Sequence, residues 1–176
     1  MLAPEPTGKD GRLLTEARRL LHLGKVKCEQ GDFLGAVDTY EQCRKCGERI
    51  KDTRRSRQVE GTALGAISCL FKDLGMHERA IEYGQQGLAI AREISDRKGE
   101  LSRLGNLGIA YHGAGQYERA IEHHTQALAM AREDGERWME GSILGNLGSA
   151  YERLGQYERA IEHFKPALAI VREVGG

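Results

Sequence analysis

Apolar residues recur along most of the chain at the three-and-four spacing of a helix face, not with the strict alternation of a strand. Around the middle the pattern runs Leu104, Leu107, Tyr111. It breaks at Gly115 and resumes as Tyr117, Ala120, Ile121, His124, Ala127 and Leu128. Two amphipathic helices joined by a tight turn account for this, because glycine supplies the left-handed conformation that such a turn needs. No strand pattern is found, so an all-α chain is expected.

The two-helix unit returns. Residues 101–133, "LSRLGNLGIAYHGAGQYERAIEHHTQALAMARE", match residues 141–173, "GSILGNLGSAYERLGQYERAIEHFKPALAIVRE", at 22 of 33 positions. The offset is 40 residues, and a third copy lies 40 residues earlier at 61–93. A more divergent copy occupies 17–49, so that four extra residues separate it from the next. The expected organisation is a flexible leader over 1–11 and units over 12–54, 55–96, 97–136 and 137–176. One helix pair cannot bury its apolar face alone, so the four antiparallel pairs must stack into a solenoid. Gly108 and Gly148 fall in mid-helix, where glycine costs about 1 kcal/mol relative to alanine. Close approach of the first helix to the second, at Ala120 and Ala160, would offset that cost. Pro166, also in mid-helix, is expected to cost about 3 kcal/mol or to kink its helix. The final "REVGG" falls where another first helix would begin, which fits a longer array or an open end that contacts something.

The pattern resembles the tetratricopeptide repeat (TPR). The small residue in the middle of the family's first helix corresponds to Gly24, Ser68, Gly108 and Gly148. The aromatic three residues later corresponds to Phe71, Tyr111 and Tyr151, with Lys27 departing. The second-helix alanine corresponds to Ala36, Ala80, Ala120 and Ala160, and a further one to Ala127 and Ala167, with Cys43 and Gly87 departing. The 40-residue period, without a closing proline, is similar to the long repeats of the Pins/LGN polarity scaffolds, rapsyn and many bacterial arrays. The resemblance covers roughly residues 13–175. It implies a right-handed α-solenoid that holds a peptide or protein segment in a concave groove lined by the first helices.

The resemblance also implies which first-helix positions face inward. Unit three contributes Ser102, Gly105, Asn106, Ile109, His112 and Gly113, and unit four Ser142, Gly145, Asn146, Ser149, Glu152 and Arg153. Unit two contributes Thr62, Gly65, Ala66, Cys69, Lys72 and Asp73, and unit one Arg18, Leu21, His22, Lys25, Cys28 and Glu29. Of these, Lys25, Lys72, Ser102, Asn106, Ile109, His112, Ser142, Asn146, Ser149, Glu152 and Arg153 are the candidate peptide contacts. Asn106 and Asn146 stand out, because an amide can donate to a backbone carbonyl and accept from a backbone N–H at once. Gly65, Gly105 and Gly145 would widen the groove for a partner backbone. The family's clamp for a C-terminal carboxylate is not assembled, since Ala66 and Ser102 stand where Asn and Lys would be needed beside Lys25.

Other chemistry is weighed against this frame. Cys43 and Cys46 form a C-x-x-C, but in register they replace Ala127/Ala167 and Met130/Ile170, which makes them small core thiols. Zinc would require two more suitably spaced ligands. His123 and His124 are adjacent and point about 100° apart on a helix; His124 shares the core aromatic position of Tyr40 and Phe164. Arg119–Glu122 and Arg159–Glu162 read as solvated pairs. The basic run "RKCGERIKDTRRSR", seven positive against two negative residues, reads as an extended helix end or as a docking patch for an acidic partner. Trp138 is expected to pack on the end of unit three's second helix. With no catalytic grouping, a non-enzymatic protein with neither cofactor nor metal is expected.

Lys+Arg and Asp+Glu both number 26, so the basic excess of a nucleic-acid binder is missing. No apolar run reaches membrane-spanning length, and the start lacks a signal-peptide pattern, so a cytoplasmic protein is expected. The expected partner is a protein or peptide, with homo-association through the last unit as a further contact. The alternative functions are a self-associating array and a regulatory sensor module of a larger protein. Cys28 and Cys69, on the inner wall, are expected to react with a thiol reagent before Cys43 and Cys46.

Overall fold

The computed structural model describes residues 8–174. Eight helices follow one another: α1 (Lys9–Glu29), α2 (Phe33–Glu48), α3 (Thr53–Asp73), α4 (His77–Glu93), α5 (Arg97–Gly113), α6 (Tyr117–Glu133), α7 (Arg137–Arg153) and α8 (Tyr157–Val174). The leader expected over 1–11 lies outside the described residues as far as residue 7, and from Lys9 onward the chain is already helical. Asp32, Asp52 and Asp96 cap α2, α3 and α5, their carboxylates accepting the backbone N–H of Gly35, Arg55 and Gly99. Gly31, Gly75, Gly115 and Gly155 turn the chain inside each unit at φ between 71° and 79°. The equivalent turn between units uses Gly135 at one junction and Ser95, at φ 54°, at another.

The four extra residues become one helical turn. Helix α3 has 21 residues where α5 and α7 have 17, and it starts four residues earlier in register. Four residues are close to the 3.6 of a turn, so every later side chain keeps its face. Part of the basic run around this junction is held by carboxylates. Arg44 binds Glu41 at 2.8 Å and Glu48 at 2.9 Å, and Arg57 binds Glu60 and Glu93.

Each helix packs on those before and after it. The first helices also touch one another (α1 with α3, α3 with α5, α5 with α7), whereas the second helices do not. The first helices therefore line the tighter, inner side of the stack. The core between them is leucine and alanine: Leu104, Leu107, Leu144 and Leu147 are at most 1% exposed, and Ala120 and Ala127 are fully buried. Each such leucine contributes about 1.5–3 kcal/mol by leaving water.

The mid-helix glycines serve a different contact from the expected one. A Cβ on Gly108 would lie 2.5 Å from the His124 ring, one on Gly148 2.6 Å from Phe164, and one on Gly24 2.3 Å from Tyr40. The second helix thus lays its large ring across the first helix's backbone, four residues beyond the alanines. Unit two inverts the sizes. Ser68 stands on the first helix and Gly84 on the second, and the Ser68 hydroxyl donates to the Ala80 carbonyl at 2.7 Å.

Two other expectations change. Arg119 and Arg159 do not engage Glu122 and Glu162. Their guanidinium groups lie over Tyr111 and Tyr151, as Arg79 lies over Phe71, because the "ER" arginine sits directly above the neighbouring aromatic. Trp138 does not pack on α6; it is 72% exposed at the start of α7. Pro166 lies inside α8, in mid-helix as its position in the repeat predicts, and α8 continues to Val174.

Cys43 and Cys46 are core thiols that tie α2 to α1. Their Sγ atoms donate to the carbonyls of Ala17 at 3.4 Å and Leu13 at 3.3 Å. Burial pushes the Cys43 thiol up to about 12 and raises Cys46 as well. Cys28 and Cys69 are only partly buried, and although burial raises the Cys69 thiol too, its sulfur stays open to the first-helix wall. In the native protein a thiol reagent should therefore label Cys28 and Cys69 ahead of the other two, with Cys43 last. Mass spectrometry of alkylated peptides over time reads the order directly; early loss of Cys43 would contradict this packing.

Candidate functional site: the inner wall

Four clefts follow one another along the wall built by α1, α3, α5 and α7. The first, of ≈ 450 Å³, lies between α1 and α3 and is lined by Lys25, Cys28, Phe33, Tyr40 and Cys69. The second, of ≈ 290 Å³, lies between α3 and α5 around Thr62, Gly65, Ser102, Arg103 and Asn106. The third, of ≈ 130 Å³, is enclosed by Ile109, His112, His124, Asn146 and Ser149. The fourth, of ≈ 510 Å³, opens from it toward Glu152, Arg153 and Tyr157.

Most of the candidate contacts fall on these clefts, and some do not. Ser102 and Asn106 share the second, Ile109, Asn146 and Ser149 the third, and Glu152 and Arg153 the fourth, with His112 between the last two. Lys25 reaches the first cleft and stands 4.0 Å from Glu29. Lys72 is turned to Asp73 at 2.7 Å and lines no cleft described above. Ser142 is exposed near the start of α7, away from the clefts. The two asparagines differ. Asn106 donates to Cys69 Sγ at 3.3 Å, so it also ties α5 to α3. Asn146 has no hydrogen-bond partner among the described residues, which leaves its amide available to a ligand.

Two residues that line the clefts were not among the candidate contacts. Arg103 is drawn under the wall, donating to the Gly99 carbonyl at 2.9 Å and to the Gly61 carbonyl at 2.6 Å. Burial lowers its pKa, with Asp96 acting against that. Gly87 makes the room, since a Cβ there would lie 3.1 Å from Arg103 Nε. The signal was a paired departure: Arg103 replaces Ala63 and Ile143, while Gly87 replaces Ala127 and Ala167. His124 is the other. It is fully buried at the back of the third cleft, and neither ring nitrogen has a partner among the described residues. Burial, then His112 and His123, push it down to about 4. His112 is lowered by burial and by the nearby Arg153. The wall around the third cleft is therefore uncharged at neutral pH and rich in groups that donate or accept hydrogen bonds.

Stacked helix pairs with such a wall define the class of helical-repeat solenoids. The tetratricopeptide repeat pattern matches residues 60–133 and again residues 143–176, more than half of the chain together. The chain belongs to the tetratricopeptide repeat family. No curated protein matches it in sequence. Among solved structures it is similar to aspartyl phosphate phosphatase F from Bacillus subtilis, with a TM-score of 0.82, 17% identity and 92% of this chain aligned. It is also similar to a Rap protein complexed with Competence and Sporulation Factor, at TM-score 0.73, 22% identity and 92% of this chain. A putative kinesin light chain from Podosopora anserina, with nearly identical TPR-like repeats, aligns at TM-score 0.75 and 21% identity over 95% of this chain and 78% of its own. This chain spans 42% of the Bacillus phosphatase and 44% of the Rap protein. At these identities the likeness is one of fold. No described helix is long and apolar enough to cross a membrane.

Proposed function

We propose that this chain is a non-enzymatic cytoplasmic scaffold that holds an extended peptide or protein segment along its inner wall. The observation that carries the reading is the run of adjoining clefts on one face, with the unpartnered Asn146 amide in the third cleft. An extended strand needs alternating polar contacts to its backbone and small spaces for its side chains, and the wall supplies both. The Rap protein of similar fold was solved with Competence and Sporulation Factor bound, which supports the same use of the fold here. Peptides selected by display against the purified chain test the reading. Asn146→Ala should weaken the selected peptides about tenfold, the loss of one or two hydrogen bonds made away from water, with the helical circular dichroism unchanged. Selected peptides that bind this variant as well as the parent would contradict it.

A second reading, self-association, is supported by the outward face of α8. Ile161, Leu168 and Val171 there are 51%, 52% and 62% exposed.

A further inference from the structure

Two of the three junctions inside the stack share one arrangement in register, and the α2–α3 junction, with Glu48 in place of the arginine, departs from it. At the α4–α5 junction Arg92 binds Glu100 at 2.8 Å, and at the α6–α7 junction Arg132 binds Glu140 at 2.9 Å. Beside these pairs the second-helix leucine and alanine are buried, and two turns further along α5 Leu107 packs on α4 at Gly84. Leu88 and Leu128 are 6% and 7% exposed, Ala91 and Ala131 at most 2%, and Leu107 and Leu147 at most 1%. Both halves of this junction recur unfilled. On α8 the equivalents are Leu168, Val171 and Arg172, the two apolar ones more than half exposed and Arg172 without a carboxylate partner among the described residues. On the opposite face of the stack, α1 carries Leu23 where Leu107 and Leu147 stand, 40% exposed against their near-complete burial. It carries Glu16 where Glu100 and Glu140 stand. Among the described residues Glu16 pairs with Arg19 of its own helix, at 3.5 Å on the exposed surface, a contact worth little.

We propose that α8 of one copy docks on α1 of a second copy, with Arg172 meeting Glu16 and with Leu168 and the partly exposed Phe164 covering Leu23. This rests on the self-association reading and gives it a surface, a direction and a charge pair. The apolar patch and the charge on each side match the other side, and neither matches itself, so the contact is head to tail. Such a contact does not close on a dimer; it propagates.

Sedimentation velocity of the full 176-residue chain over a concentration series tests it. The expected result is a mass that keeps growing past two copies. Arg172→Glu and Glu16→Arg, each on the surface, should each weaken association about tenfold by placing like charges together. In an equimolar mixture of the two single variants every junction between unlike copies is charge-matched, so growth past two copies should return with the variants alternating. The double variant should regain growth. A monomer at every concentration would overturn both the self-association reading and this one. Association that stops at a dimer, or that ignores the charge reversals, would overturn the α8–α1 docking and leave self-association by another surface.

Discussion

Gly108→Ala should be among the most destabilising single-methyl changes in this protein, at about 3 kcal/mol and read as a lowered urea midpoint. The added Cβ falls 2.5 Å from the ring of His124, a side chain with no exposed surface. Overpacking of this kind typically costs 1–3 kcal/mol and forces the backbone to move. On helix propensity alone the same change would stabilise by about 1 kcal/mol, so the sign of the result decides which effect governs the site. Gly105, three residues earlier, is the internal control: a Cβ there meets nothing within 4 Å. Gly105→Ala should therefore stabilise. Unit two shows how the clash can be relieved. There the first helix carries Ser68, the second carries Gly84, and Leu107 of the next unit fills the space. Gly108→Ser combined with His124→Gly copies that arrangement. In a double-mutant cycle the pair should lose less stability than the two single changes added together. Additive losses would mean that positions 108 and 124 do not share one space.

Acid should destabilise the fold through His124. Its pKa falls from 6.5 to about 4, chiefly because burial disfavours the charged ring. Between those two values the unfolded chain binds a proton that the folded one does not, so stability rises with pH across this window. His124 contributes nothing adverse above about 6.5, and its cost grows as pH falls, reaching roughly 2–3 kcal/mol near pH 4. His112 and His163 are lowered by burial as well and add to the same trend. His124→Phe isolates the term, because Gly148 and Phe164 show that the site accepts a phenyl ring against a glycine. Chemical denaturation at pH 7 and pH 4.5 should show a clearly smaller loss for this variant than for the parent. An equal loss in both proteins would place the acid sensitivity elsewhere.

The helices and their order were legible because each unit repeats the same glycine turn, and Gly75, Gly115 and Gly155 punctuate an otherwise continuous apolar pattern. Register carried the reading of the C-x-x-C as well. Cys43 and Cys46 aligned with core positions, and their thiols are indeed spent on α1 carbonyls. What register could not supply was the partner of each residue across the helix pair. Alignment marked Gly108 as small and His124 as large, yet it did not say that the two meet. The arginine of "ERAIEH" has a glutamate three residues on, but an aromatic face of the preceding helix lies nearer, and that contact crosses the turn. Arg103 was overlooked because a cation at a position of alanine and isoleucine reads as surface; only the missing side chain at Gly87 shows where it goes. On the wall, register brought Asn106 and Asn146 to equivalent places, whereas the difference between them depends on Cys69. Unit three finds a sulfur to bond and unit four does not.

The account stands on the inner wall as the working surface, and the footprint of a bound peptide tests that most directly. Backbone amide NMR shifts, or hydrogen exchange, would be recorded for the chain with and without a display-selected peptide. The expected footprint follows α3, α5 and α7 through the second to fourth clefts, with Asn146, Ser149 and His112 most affected and α4 and α6 largely unchanged. A footprint on α4, α6 or the outward face of α8, with the inner wall silent, would contradict it.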